Sequence, residues 1–255
     1  MHSKHILKPL LIALFWLAVW QGLALAVHNR VFLASPAEAF SALVRLLPRA
    51  DFWRTVGYSC GRIFTGFLLA LAAGLLLGAV SHALPPVGEV LAPALRLMRA
   101  VPVAAFVILA LLWVGSRRLT ALVVFVIAMP VVYAGVRAGL GQADPAMLEV
   151  ARVFRIGPAR RVWHIYRPAL MPHLTSALTV SVGLAWKSGV AAEVIGICEY
   201  SIGERLYTAK LYLETADLFA WTAVIVLLSY LSEKLLGLLL RRLTPTAPGK
   251  GGGEP

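Results

Sequence analysis

The chain has 255 residues, 60% of them hydrophobic and 14% charged, with a mean hydropathy of +0.80. Soluble domains are about 45–50% apolar and about 25% charged, so this chain has too little polar surface to coat a globule in water, and its solvent is largely lipid. The net charge of +12 reads as Lys and Arg gathered in loops beside anionic head groups, not as a nucleic-acid surface.

Apolar runs of about 20 residues, enough to cross a hydrocarbon core as a helix, recur along the sequence. They predict an all-α membrane protein of about six transmembrane helices, because each lipid-embedded segment must satisfy its own backbone. A spanning β-barrel would show alternating segments of about ten residues, and none is seen. The first run, Leu10–Val27, follows Lys4 and Lys8. Ala24-Leu25-Ala26 mimics a signal-peptidase site, but the run is long and contains Trp16 and Trp20, so it reads as a retained helix. Ser35-Pro36-Ala37-Glu38 reads as a capped helix start, opening a short amphipathic helix to about Leu47 at the outer surface.

The second span covers Thr55–Val80. Gly66, Ala70, Gly74 and Gly78 recur every fourth residue and give a face nearly free of side chains, against which another helix can pack closely in lipid. Gly57 and Gly61 continue the spacing. Ser81–Arg99, with Pro85, Pro86 and Pro93, reads as a broken connection. A third helix spans Leu97–Val114, Gly115–Arg118 forms a turn, and a fourth helix spans Leu119–Ala138 with a break expected at Pro130. After a basic amphipathic loop at 139–172, a fifth helix covers His173–Ile197 and a sixth Leu218–Leu240. Residues 1–243 thus read as one membrane domain and 244–255 as a disordered cytoplasmic tail. Cys60 and Cys198 match no metal-ligand spacing. They read as buried thiols, with a disulfide between outer helix ends left open. Lys and Arg are more numerous in the segments on the side of the amino terminus, against the counter-trend of Arg117 and Arg118, which places both termini in the cytoplasm.

The loop between the fourth and fifth helices carries the most information. Asp144 can cap a helix that Pro145 starts. Leu148, Ala151 and Phe154-Arg155 share a helical face, and Gly157 is expected in the left-handed cap conformation. Pro158 starts a second helix through Trp163 and Tyr166. The loop is a helix–glycine–helix hairpin, suited either to lie on the membrane surface or to insert into a partner.

Glu149-Val150-Ala151, then Gly157, then Ile165 and Leu170-Met171-Pro172 resemble the EAA loop of ABC importer permeases, with Val150 in place of an alanine and Met171 where leucine often stands. Leu184-Ala185-Trp186 followed by Ala191-Ala192-Glu193-Val194-Ile195-Gly196 is similar to a stretch of the sulfonate, taurine and nitrate branch of that family. The likeness runs from about Phe32 to Leu240. It implies a type I importer permease fold, a pore of two permease subunits (a homodimer), two cytoplasmic ATP-binding cassette subunits that receive the loop as a coupling helix, and an extracytoplasmic solute-binding protein. Glu149, Ala151, Phe154 and Gly157 are then coupling positions. The implied solute is a small anion such as a sulfonate, taurine or nitrate, although this branch also resembles permeases for pyrimidine vitamin precursors.

Lys187 and Glu193 lie within the fifth helix, where an unpaired charge is costly. Six residues apart, they do not stack on one face, so each needs its own partner. Lys187, Glu193 and Trp186 are candidates for the translocation pathway. Each has a structural alternative, favoured for Glu193 and Trp186. Arg62 is expected to reach for the interface. No Gly-rich phosphate loop is present, so the chain is expected to be no enzyme and to hold no cofactor, with ATP hydrolysed on a separate subunit. His82, His164 and His173 complete no metal set. The competing class is a stand-alone secondary carrier or channel, which usually shows two related halves; no repeat is visible here.

Overall fold

The computed structural model describes residues 3–27, 29 and 31–243, so the expected tail at 244–255 lies outside the described residues. Within them the secondary structure is helical: α1 (Ser3–Val27), α2 (Pro36–Leu46), α3 (Ala50–Ala83), α4 (Pro85–Ala100), α5 (Val103–Gly141), α6 (Pro145–Val153), α7 (Pro158–Arg161), α8 (Arg167–Gly196), α9 (Ile202–Leu211) and α10 (Thr215–Leu243). Four helical stretches are long and apolar enough to cross a membrane, namely α3, α5, the continuous run Pro158–Gly196 and α10, while Leu11–Val27 within α1 is a shorter apolar stretch.

The expected third and fourth helices are two arms of α5, broken at Gly115 (φ 66°, ψ 174°), a conformation that only glycine adopts without steric cost. Val107 and Ala110 of the first arm join Leu119 and Val123 of the second in one buried cluster. Prolines act differently from expectation at three places. Pro85 and Pro86 occupy the first turn of α4, where their missing N–H costs nothing, so 85–100 is helix and not a broken connection. Pro130 is buried inside the second arm of α5. Pro168 and Pro172 do not separate the hairpin from the following span. Instead Val162–Tyr166 winds as a wider π-type turn closed by the Arg167 N–H on the Val162 carbonyl, and the helix runs on. Between α5 and the run Pro158–Gly196 lie residues 142–157, which carry α6, with Gln142 and Gly157 as the flanking caps.

α3, α5 and α8 form the centre, and α10 packs on α8 and α9. The small-residue stripe of α3 sets the α3–α5 distance. A Cβ on Gly74 would lie 2.7 Å from Val132 Cβ, and one on Gly78 2.8 Å from Val136 Cβ. Ala70 is fully buried. Gly57 and Gly61 face open space and do not continue the packing face. α5 in turn offers Gly139 to α8, where an added Cβ would sit 2.8 Å from Leu170 Cα. Close backbone approach replaces water exclusion as the packing force in lipid. Ile63, Phe67, Val124, Val132, Leu178 and Trp186 fill the core between these helices.

At the α9 end of the bundle a second cluster joins α2, α3, α9 and α10, with Phe52 stacked on Trp221 at 5.0 Å. The capping box of α2 is formed in both directions: the Glu38 N–H donates to Ser35 Oγ at 3.3 Å and the Ser35 N–H donates to Glu38 Oε2 at 2.9 Å. Ion pairs Arg45–Asp217 and Arg205–Asp51 tie the same elements at the surface; such exposed pairs contribute about 1 kcal/mol or less.

Candidate functional site

Two features stand out, one at each end of α8. The first is the hairpin built on α6. Asp144 caps it, accepting the Ala146 N–H at 2.9 Å. Its carboxyl-terminal end is closed by the Ile156 N–H on the Ala151 carbonyl at 2.9 Å and the Arg155 N–H on the Arg152 carbonyl at 3.1 Å. This is the paired pattern of a Schellman cap, whose turning residue takes positive φ. That residue is Arg155 (φ 50°). Gly157 is not left-handed: it is extended (φ −61°, ψ 155°) and starts α7. α6 simply ends two residues earlier than the glycine suggests.

Arg161 locks the hairpin from inside. Its Nε donates to the Ile156 carbonyl at 2.7 Å and its Nη2 to the Ala151 carbonyl at 3.4 Å. Arg167 lies over the Trp163 ring at 4.0 Å, and Tyr166 meets His82 at the end of α3 edge-on at 6.1 Å. Ala151 is buried, whereas Met147, Val150, Val153 and Phe154 are exposed. Met147, Val150 and Val153 recur every third residue of α6 and Phe154 caps its end, so the four make one apolar stripe. Phe154 leaves 74% of its surface open. Glu149 is exposed beside them, and Gly157 has nothing within 4 Å of where a Cβ would stand. The hairpin is therefore rigid internally, continuous with a span, and unsatisfied on one face.

The second feature is a buried polar node at the far end of α8. Glu193 is fully buried. Ser59 Oγ on α3 donates to its Oε2 at 2.8 Å, and the Gly203 N–H donates to the same oxygen at 3.3 Å. The Ile202 N–H donates to Ser59 Oγ at 2.8 Å, and Ser201 Oγ accepts the Glu204 N–H at 3.0 Å. The first turn of α9, whose N–H groups have no helical partner, is thus held by side chains of α3 and α8. Gly203 is required there, since a Cβ would overlap the Glu193 backbone. Arg62, half-buried, donates from Nη2 to the Glu199 carbonyl in the loop after α8 at 3.1 Å. Cys60 and Cys198 are both free thiols.

Among the three residues singled out in this helix, Glu193 and Trp186 are engaged inside the chain. Trp186 is buried, donates from Nε1 to Ser232 Oγ at 3.0 Å, and meets Phe64 edge-on. Lys187 alone is exposed. Ser59 and Gly203 carried no sequence signal, because their importance comes from a contact between helices more than a hundred residues apart in one case and across a loop in the other. Glu193→Ala is expected to lower stability by about 3 kcal/mol, since it strands a buried hydroxyl and a helix-terminal N–H. Glu193→Gln keeps an acceptor and should lose less than half of that. Equal melting temperatures for wild type and Glu193→Ala would contradict the node.

Comparison with known proteins agrees with this architecture. Residues 66–245 match the family described as binding-protein-dependent transport system inner membrane component. The chain is 26% identical over 239 residues to a putative aliphatic sulfonates transport permease protein, SsuC of Bacillus subtilis, covering 93% of this chain and 86% of that one. It is 27% identical over 237 residues to the taurine transport system permease protein TauC of Escherichia coli, covering 90% and 86%. A solved bacterial ABC transporter involved in import of the acidic polysaccharide alginate shares the fold, with a TM-score of 0.64, 15% identity, and coverage of 96% of this chain and 97% of that one. The chain belongs to the family of binding-protein-dependent transport system inner membrane components, as the permease subunit of an ABC importer.

Proposed function

We propose that this permease imports a small anion, working as a pair of identical subunits whose α6 hairpins dock on two cytoplasmic ATPase subunits and whose opposite face receives an extracytoplasmic binding protein. The observation that carries the reading is the apolar stripe Met147–Val150–Val153–Phe154 on a helix that is locked to its own span. A tether would not need the Arg161 lock. A hairpin lying on lipid would not need to be continuous with α8. A helix that must transmit force needs both, because displacement of α6 then reaches α8 without being absorbed in a loop. On this reading the α6 end, and with it both termini, lie in the cytoplasm, in keeping with the Lys and Arg bias. Glu149, Ala151, Phe154 and Gly157 form the coupling element. Sulfonates, taurine, nitrate and bicarbonate, named for the relatives, share an anionic oxygen-rich group, which is the basis for the solute class.

A photo-crosslinking residue at Met147 tests the docking in native membranes. The expected product is a covalent adduct with a nucleotide-binding subunit, together with uptake that stops when ATP is depleted and persists when ion gradients are collapsed. Uptake that needs an ion gradient and ignores ATP would make the protein a secondary carrier.

A further inference from the structure

The exposed surface of the bundle is of two kinds. α10 turns outward Val226, Leu227, Leu231 and Leu235, and the first arm of α5 turns outward Ile108 and Leu112, as a lipid-facing helix should. α8 does not. Its stretch has the lowest hydropathy of the four spans, 1.3 against 2.4, 2.4 and 1.9. Ser176, Thr179 and Lys187 are exposed and Gly183 is half-exposed. At about 100° per residue these four fall within an arc of roughly 80°. Thr179 Oγ1 donates to the Thr175 carbonyl at 3.0 Å, leaving its oxygen able to accept from the open side. Lysine at mid-span belongs against water or protein and not against acyl chains.

Glu233 of α10 is the independent observation. It is half-buried, and a Cβ on Gly183 would lie 3.2 Å from its Oε1. The Trp186–Ser232 hydrogen bond, at 3.0 Å, fixes that register next to both charges. Helical side chains lean toward the amino terminus, so the Lys187 stem inclines over the turn of Gly183, the residue that Glu233 faces. Neither Lys187 nor Glu233 has an ion-pair or hydrogen-bond partner among the described residues.

We propose that Ser176, Thr179, Gly183 and Lys187, with Glu233 opposite Gly183, line a water-filled solute path in which two opposed charges set sign and release. The Lys187 ammonium draws in the anionic group, and the Glu233 carboxylate competes for the same ammonium, so the anion is held weakly enough to leave. Gly183 supplies the room, since a Cβ there would already press on the Glu233 carboxylate, 3.2 Å from Oε1. The inference rests on the small-anion reading and adds to it the residues that select.

The test needs no knowledge of the solute. In the assembled complex with Cys60 and Cys198 replaced by Ala, Thr179→Cys is treated with an anionic and a cationic methanethiosulfonate reagent. Both are expected to react, and Leu227→Cys on the lipid face is expected to resist both. Lys187→Met should lower the anionic-to-cationic rate ratio on the order of fivefold, and Glu233→Gln should raise it by a similar factor, the size of a unit charge acting in opposite senses on the two reagents across roughly 8 Å of watery space. Ser176→Cys, with both native charges kept, repeats the accessibility reading should a charge variant fail to assemble. Unreactive cysteines at 176 and 179, or a ratio indifferent to both substitutions, would overturn the proposal, while the Met147 adduct would still report on docking.

Discussion

Replacing Gly66 with Val is expected to lower the melting temperature of the purified complex by about 10 °C, or to prevent assembly, while Gly57→Val leaves it unchanged. Both glycines lie on α3, nine residues apart, and composition cannot tell them apart. Their surroundings can. A Cβ on Gly66 would meet Val124 Cβ at 2.8 Å and Ala121 Cα at 2.9 Å, whereas one on Gly57 meets nothing within 4 Å. The obstacle at Gly66 is partly backbone, so no rotamer change relieves it, and α3 must back away from α5 along their whole contact. The separated helices gain nothing in compensation, because lipid tails fill the gap as readily as side chains and the lost term is dispersion between well-fitted surfaces. Thermal unfolding of the two variants in the same detergent decides the matter. Equal melting temperatures would mean that the α3–α5 approach is looser than the structure indicates.

What could be read from the residues follows the same physical line. The Gly66–Gly78 stripe and the Ser35–Glu38 cap were visible because each is local: the four-residue spacing, or a serine and a glutamate three residues apart, itself performs the role. Helix ends of the other polarity were not. α6, α8 and α9 each close with an N–H bonded to a carbonyl five residues back, from Ile156 to Ala151, Cys198 to Glu193 and Glu214 to Ala209. The residues at positive φ in these turns are Arg155, Ile197 and Leu213, where glycine is the usual occupant. Gly157 stands nearby and misleads, whereas the end of α8, with Ile197 as its cap, falls where the expected His173–Ile197 helix stops. The prolines of α4 and of the run into α8 misled as well. Their cost is real only where an N–H is needed, and first-turn placement or a π-type turn removes that need. Glu193 was recognisable as a charge requiring a partner, yet Ser59 and Gly203 were not recognisable as the partners, since no periodicity joins α3 to the start of α9.

Phe154→Glu is expected to leave the permease folded and to weaken its association with the ATPase subunits by about thirtyfold or more, abolishing ATP-driven uptake. Phe154 touches no core cluster and leaves 74% of its surface open, so the permease alone loses nothing by the change. An aromatic anchor at the centre of a docking patch, by contrast, commonly accounts for about 2 kcal/mol or more of binding, and a carboxylate in its place would also have to be buried against the partner. Arg161→Ala probes the other half of the mechanism. The apolar stripe remains, but the lock on the Ile156 and Ala151 carbonyls is gone, so docking should persist while movement of α6 is dissipated in the hairpin before it reaches α8. The two variants therefore separate binding from transmission: co-purification with the ATPase falls for Phe154→Glu, whereas Arg161→Ala keeps the ATPase bound and hydrolysing but uncouples it from transport. Gly157→Ala refines the same measurement, since the permease has open space at that position and any loss of coupling there must come from the surface of the partner. If Phe154→Glu co-purified with the ATPase as wild type does, the apolar stripe would not be the docking face, and force would have to enter the membrane domain elsewhere.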